Sequence, residues 1–253
     1  MRPSGALRHW DLFWLLTAVE FRARDQGTAL GFLWTLLRPL AQFAVLYTVF
    51  SRAMGPRVEG WAAYLLVGVV QWDFFAGATA HGLTCLRRKS GLLQAAAFPR
   101  VLVVLSTVAS VLLSHLAEWG LLLFVLPWLG VAPRAAWLAL PALIAAEAAL
   151  ALGAACLLAA LAPTLRDLEQ AWGLALYALF FLTPVFYTID LVGPQGRLLV
   201  ALNPLAALIE GTRAVLWGRA APPLALASAL AAAAAAAGLA LFPRLSREAA
   251  ELL

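Results

Sequence analysis

The sequence predicts an all-α, polytopic membrane protein with six transmembrane helices, an N-terminal interfacial helix and a short outer re-entrant helix before the last span. Three observations lead there. Of the 253 residues, 64% are hydrophobic and only 12% charged, with a mean hydropathy of +0.88; a soluble domain runs near ~45–50% and ~25%, so an aqueous fold has nowhere to bury the excess. The apolar residues gather in six stretches of membrane-spanning length. The basic residues collect in alternate connections, as orientation in a bilayer requires.

The elements follow in order. Arg2 and Arg8 precede an apolar stretch from Leu12 to Val19 that suggests a signal peptide, but these eight residues cover only ~12 Å as a helix. Glu20, Phe21, Arg22, Ala23 and Arg24 come next instead of a small-residue cleavage site. An uncleaved interfacial helix is therefore expected, with Trp10 and Trp14 at headgroup depth and Arg8, Arg22 and Arg24 on lipid phosphates. The six spans, each able to cross ~30 Å at ~1.5 Å per residue, are Leu30 to Phe50, Trp61 to His81, Val101 to Trp128, Trp137 to Ala162, Ala171 to Thr188, and Pro223 to Phe242. In the last, the unbroken run Ala231 to Ala237 inserts weakly but lets helices approach closely, so it reads as a packed helix. The segment Ile189 to Ala221 is too long for a turn. Asn203 and Pro204 there read as N-cap and first helical position, and Leu205, Leu208, Ile209, Val215 and Leu216 give its helix an apolar face. No repeat or linker interrupts the chain, and residues 1–253 read as a single domain.

Arg2, Arg8, Arg22, Arg24, Arg87, Arg88, Lys89, Arg100, Arg166, Arg244 and Arg247 fall on one side of this topology; Arg52, Arg57, Arg134, Arg197, Arg213 and Arg219 fall on the other. The excess marks the cytoplasmic side and places both termini there. Trp61, Tyr64, Trp128, Trp137 and Tyr187 then sit at the outer interface, and Trp34 and Trp172 at the inner one, where amphipathic rings are favoured.

Several function classes drop out. The net charge of +5 belongs to loop topology and anionic lipid, not to nucleic acid. Cys85 and Cys156 show no CxxC spacing, which excludes a disulfide scaffold or zinc site; no metal is expected. The one lysine, Lys89, follows Arg88, whereas a phosphate-cradling loop needs glycine there, so the chain carries no ATP site and no cofactor of its own. No GxSxG or HExxH string occurs, Ser114 and His115 point in different directions on a helix, and no catalytic residue is expected.

Ionisable groups inside spans are costly and mark candidate sites. Here they are Arg38, Asp73, His115, Glu118 and Glu147. Ser106, Ser110, Ser114 and Glu118 recur every fourth residue, giving one helix a polar face that reads either as a transport path or as inter-helix hydrogen bonding. Glu147 reads as a proton-path residue or as a buried carboxyl bonded to a neighbouring helix. Arg38, just before Pro39, meets an anionic headgroup or snorkels to the inner leaflet.

The ordered motifs carry a resemblance. Glu20 to Ser51, reading EFRARDQGTALGFLWTLLRPLAQFAVLYTVFS, resembles the opening of the ABC-2 type export permeases, in particular exporters of lipid-linked O-antigen and teichoic acid. Tyr64, Leu65, Leu66, Gly68 leading to Trp72, Asp73, Phe74, Phe75; then Phe98, Pro99, Arg100; Arg166, Asp167, Leu168, Glu169; Phe180 to Tyr187; and Asn203, Pro204, Leu205 through Ile209, Glu210 and Arg213 follow in the same order. The likeness spans Leu12 to Gly218. Asp25, Gln26, Arg38, Gln94 and Ala95 depart from the family pattern.

The resemblance implies the membrane subunit of an ATP-driven exporter in the bacterial cytoplasmic membrane: a homodimer with two copies of a separate ATPase, which binds ATP and Mg, moving a lipid-linked glycan outward. It implies that Arg87, Arg88, Lys89, Phe98 and Arg100 in the Leu83 to Arg100 loop, and Arg166, Asp167 and Glu169 in the Ala162 to Gln170 loop, receive the ATPase; solvated positive-inside loops explain the same charges. For such a cargo the first and fifth spans offer Trp34, Arg38, Phe43 and Tyr47, and Tyr177, Phe180, Phe181 and Phe186, as a pathway for diphosphate and sugars, unless the rings simply pack. An outer gate falls to the helix begun by Asn203 and Pro204, with Leu208 against the bundle and Glu210 paired with Arg213 on its other face. As a passive loop that pair is solvated and contributes under ~1 kcal/mol. Two other readings share these residues: a proton-coupled secondary transporter using His115, Glu118 and Glu147, or an ABC-2 permease for a drug or small lipid.

Overall fold

The computed structural model describes residues 5–25, 30–31, 33–95, 98–191, 193–194, 202–219 and 224–248. Among the described residues there is no strand, and the helices are α1 (Gly5–Asp25), α2 (Leu33–Met54), α3 (Trp61–Arg88), α4 (Ser90–Ala95), α5 (Val101–Val125), α6 (Leu140–Leu161), α7 (Leu168–Leu182), α8 (Pro204–Trp217) and α9 (Leu224–Glu248). With the short 3-10 turns flanking α5 and α6, five helices are long and apolar enough to cross a membrane: α2, α3, α5, α6 and α9. The protein is a multi-pass, all-α membrane protein. Of the predicted positions, Arg2, Gln26, Arg197 and the start of the last span at Pro223 lie outside the described residues.

α3 is the axis of the bundle. Its apolar residues Leu65, Val67, Val69 and Phe74 are buried, and α2, α5, α6, α7 and α8 all pack on it. It runs seven residues past the predicted end at His81, because nothing breaks the helix before Arg88 and because Leu83, Cys85 and Leu86 have neighbours to bury against. Trp61 and Tyr64 are only 4% and 5% exposed, so they are core residues and not members of an interfacial belt. Trp128, at 81%, does face outward.

The predicted fifth span is different in kind. α7 has 15 residues, about 22 Å of helix, and it stops because Pro184 drives the preceding residue into extended backbone: Thr183 has φ −100° and ψ 133°. Turns and bends over residues 183–187 continue the segment. Along α3, Trp172 donates to Thr79 (3.2 Å), Phe180 meets Trp72 (5.4 Å between centroids), and Tyr64 donates to the Tyr187 carbonyl (3.1 Å), so the segment 168–187 runs antiparallel to α3.

α8 is re-entrant. Its Asn203 cap donates to Thr183 Oγ1 at 2.9 Å, well inside the bundle, while Trp217 lies beside Gly60 at the end of α3. Asn203 Oδ1 accepts from the Leu205 and Ala206 amides and starts the helix as the Asn-Pro pair predicts. The chain linking residues 195–201 lies outside the described residues.

α9 meets α6 backbone to backbone. A Cβ on Gly153 would fall on the Ala234 carbonyl, and one on Gly238 on the Gly153 carbonyl. The alanine run is packed on this stripe alone: Ala227, Ala231 and Phe242 are buried, whereas Leu226, Leu230, Leu239 and Leu241 face outward.

Candidate functional site

One end of the bundle is basic. There Arg87 pairs with Glu169 at 2.5 Å, joining α3 to the start of α7. Leu86, Arg87, Pro163, Arg166 and Glu169 line a cleft of about 340 Å³ between α3, α6 and α7, so three of the residues assigned to ATPase contact share one surface. Arg166 and Asp167 are exposed. The others turn elsewhere. Lys89 and Arg88 hold Glu20 of α1 at 2.6 and 3.2 Å, Arg100 donates to the Ser246 carbonyl of α9 at 3.1 Å, and half-buried Phe98 packs on the core. Burial alone raises the Glu20 carboxyl, but the bond and charge of Lys89, with Arg88 and His81, outweigh it and hold Glu20 below the ordinary carboxylate range. Glu20 escaped the sequence reading because its partners lie some seventy residues away.

The two aromatic groups expected along the pathway stay largely apart within one chain. On α2, Phe43 stacks on Tyr47 at 5.5 Å. After α7, Phe180, Phe181 and Phe186 form one cluster with centroids 5.5–5.9 Å apart, Tyr177 meets Phe181, and Phe186 reaches Phe50 of α2 at 4.9 Å. Trp34, Tyr47, Tyr177 and Phe181 are 40–67% exposed. Arg38 belongs to neither group: it lines a cleft with Asp73 between α2, α3 and α5.

A polar chain crosses the interior. Gln71 Nε2 of α3 donates to Glu147 Oε2 of α6 (3.2 Å) and to Thr212 Oγ1 of α8 (3.1 Å), and Thr212 donates on to the Leu208 carbonyl. His115 of α5 lies 3.8 Å from Glu147 and 3.5 Å from Glu118. Its Nε2 accepts from Trp119 at 2.8 Å, which fixes a neutral imidazole. Ser106 and Ser110 donate back to the carbonyls of Val103 and Thr107. Gln71 links three helices yet carries no charge, so a search for ionisable residues passes over it; a glutamine amid a buried apolar run was the available signal.

The residues expected at an outer gate are latched to one another and to the bundle. Leu208 is fully buried. Glu210 and Arg213 pair at 2.6 Å as their spacing predicts, but not on a solvated face: Arg213 is 3% exposed. Its Nη1 donates to the Pro184 carbonyl (2.6 Å) and its Nη2 to those of Val185 (2.8 Å) and Tyr64 (3.0 Å), with the guanidinium 3.4 Å from the Tyr64 ring centroid. Tyr64 also donates to Glu210 at 3.0 Å. Gly68 leaves the room, since a Cβ there would overlap both Arg213 and the Val185 carbonyl. One side chain thereby ties α8, the turn after α7, and α3.

Comparison with known proteins matches residues 11–217 to the family described as ABC-2 type transporter. Among similar proteins is one from Myxococcus xanthus named O-antigen export system permease protein RfbA, 27% identical over 237 residues, covering 92% of this chain and 91% of the relative. A protein of the same name from Klebsiella pneumoniae is 24% identical over 205 residues, covering 81% and 79%.

Proposed function

From the premise that the chain belongs to the ABC-2 type transporter family, we propose that it is the membrane subunit of an ATP-driven exporter carrying a lipid-linked polysaccharide outward across the bacterial cytoplasmic membrane. The relatives named as O-antigen export permeases support the cargo class. In this reading two copies of the chain assemble with two separate ATPase subunits, which bind ATP and Mg, and the basic end with both termini faces the cytoplasm.

The observation that carries the reading is the unfinished burial of α2 and α7. Pro39 is the one buried residue described on α2, and α7 has none, while α3 between them is saturated. A second copy facing these helices would line the space between the copies with Trp34, Tyr47, Tyr177 and Phe181, ring faces on which sugars slide. The cleft around Arg87, Arg166 and Glu169 is where the ATPase would push, with Phe98 and Arg100 anchoring the adjoining loop to the core and α9. Glu210, Arg213 and the Asn203-capped helix would close the outer end.

The test uses the full chain co-expressed with its ATPase, in a background lacking Cys85 and Cys156. A single cysteine at Val45 or Leu174, both exposed apolar positions, should cross-link copy to copy, the ATPase should copurify, and hydrolysis should require it. Cross-linked dimers absent at both positions, or hydrolysis by the chain alone, would overturn the proposal.

A further inference from the structure

The cleft between α2, α3 and α5 has no part in that route. It encloses about 340 Å³ and brings together a guanidinium, Arg38, two carboxyls, Asp73 and Glu118, and two imidazoles, His81 and His115. Groups of this kind are expensive at membrane depth, and here they converge on one space. His115 is 1% exposed, and its Nδ1 lines this space without a hydrogen bond, 3.5 Å from Glu118. Toward the far end the cleft continues as an apolar slot that shares Pro39 and Glu118 and is walled by Leu40, Leu66, Val70 and Leu121. Leu40 and Leu121 are each 40% exposed, so the slot opens sideways onto lipid.

The polar cleft lies on the basic-end side of an apolar slot that runs along α3 past Val70 to Leu66 and along α5 to Val125, so a charged head and an apolar chain would be met in one direction, as in an amphiphile. The charges choose its head. Two carboxyls beside one guanidinium disfavour a diphosphate, and the guanidinium disfavours a simple cation. A head bearing one charge of each sign satisfies both sides. We propose that this cleft binds a phospholipid whose headgroup carries a phosphate and a primary ammonium, the phosphate at Arg38 and the ammonium between Asp73 and Glu118, with one acyl chain along the slot. The site is independent of the cargo and of the ATPase.

The probe is a defined lipid mixture. The full-length chain, purified in mild detergent, is equilibrated with equal amounts of phosphatidylethanolamine, phosphatidylcholine, phosphatidylglycerol and a polyprenyl diphosphate, and the lipids retained are read by native mass spectrometry. Phosphatidylethanolamine should be retained about tenfold over phosphatidylcholine, whose trimethylammonium offers no hydrogen to a carboxylate. Asp73→Asn should lower that ratio. The ratio is taken within one sample, so a partly misfolded variant lowers both lipids without changing it. Preference for phosphatidylglycerol or the diphosphate would overturn the assignment in favour of an anion site. Equal retention of all four, or ratios unmoved by Asp73→Asn, would overturn it in favour of a water-filled cleft.

Discussion

Arg213→Ala removes the donor to the Pro184 and Val185 carbonyls, the partner of Glu210 and the cation over Tyr64 in one step. The Tyr64 carbonyl keeps its helical partner, so the loss concentrates on the two non-helical carbonyls of Pro184 and Val185 at ~1–3 kcal/mol each and on a carboxylate left beside a buried void. The sum sits in the range of about 3–5 kcal/mol found for breaking a buried pair. For a chain of this size that lowers the unfolding midpoint by roughly 10 °C. Arg213→Lys keeps the charge but not the fork that reaches the Pro184 carbonyl and the Glu210 carboxylate from one nitrogen and two carbonyls from the other, and it should recover only part of the loss. Gly68→Ala attacks the same latch from α3 by occupying the guanidinium's space, so the double variant should fall well short of the sum of the singles. The assay is thermal unfolding of the detergent-purified full chain, followed by tryptophan fluorescence. If Arg213→Ala melts within about 2 °C of the unaltered protein, the pair is as inconsequential as a solvated one and the latch does not exist.

The α6–α9 contact should tolerate no side chain: Gly153→Val places methyls on the Ala234 backbone and should separate the helices, with a cost of about 1–3 kcal/mol from overpacking, whereas Gly173→Ala, with open space around it, should leave the same melting midpoint nearly unchanged. Docking of α1 should depend on pH. Because the Glu20 carboxyl is held below its ordinary range, mainly by Lys89 against the opposing effect of burial, its stabilisation is complete above the unfolded value and disappears as pH falls through the lower folded one. Protection of the α1 amides, taken relative to the intrinsic exchange rate at each pH, should fall on acidification, and Glu20→Gln should lower it at neutral pH and remove its acid dependence; unchanged protection in Glu20→Gln would show that α1 is held by its apolar contacts with α5.

What the sequence exposed and what it hid divide along physical lines. Apolar spans and capping are local or compositional: a long apolar stretch crosses because lipid is the only solvent for it, and Asn203-Pro204 starts a helix whatever lies around it. Contacts between distant segments are neither. The i, i+3 spacing of Glu210 and Arg213 foretold their pair, but whether the pair faces water or the core depends on Val185 and Gly68, which no periodicity connects to α8. The same limit explains Lys89, whose charge was legible and whose partner on α1 was not, and Arg38, whose place on α2 was legible and whose cleft with Asp73 of α3 was not. The expected fifth span runs through Pro184 to Thr188, whereas α7 ends at Leu182, and a break of this kind within a span is tolerable only where another group meets the freed carbonyls. Arg213 is that group. The break in α7 and the burial of an arginine in α8 are therefore one feature: removing Pro184 without Arg213 leaves a buried charge short of acceptors, and removing Arg213 without Pro184 leaves carbonyls short of a donor. The helix is thereby fixed twice over, by the polar bonds of Arg213 and Asn203 and by the burial of Leu205, Leu208, Ile209 and Leu216.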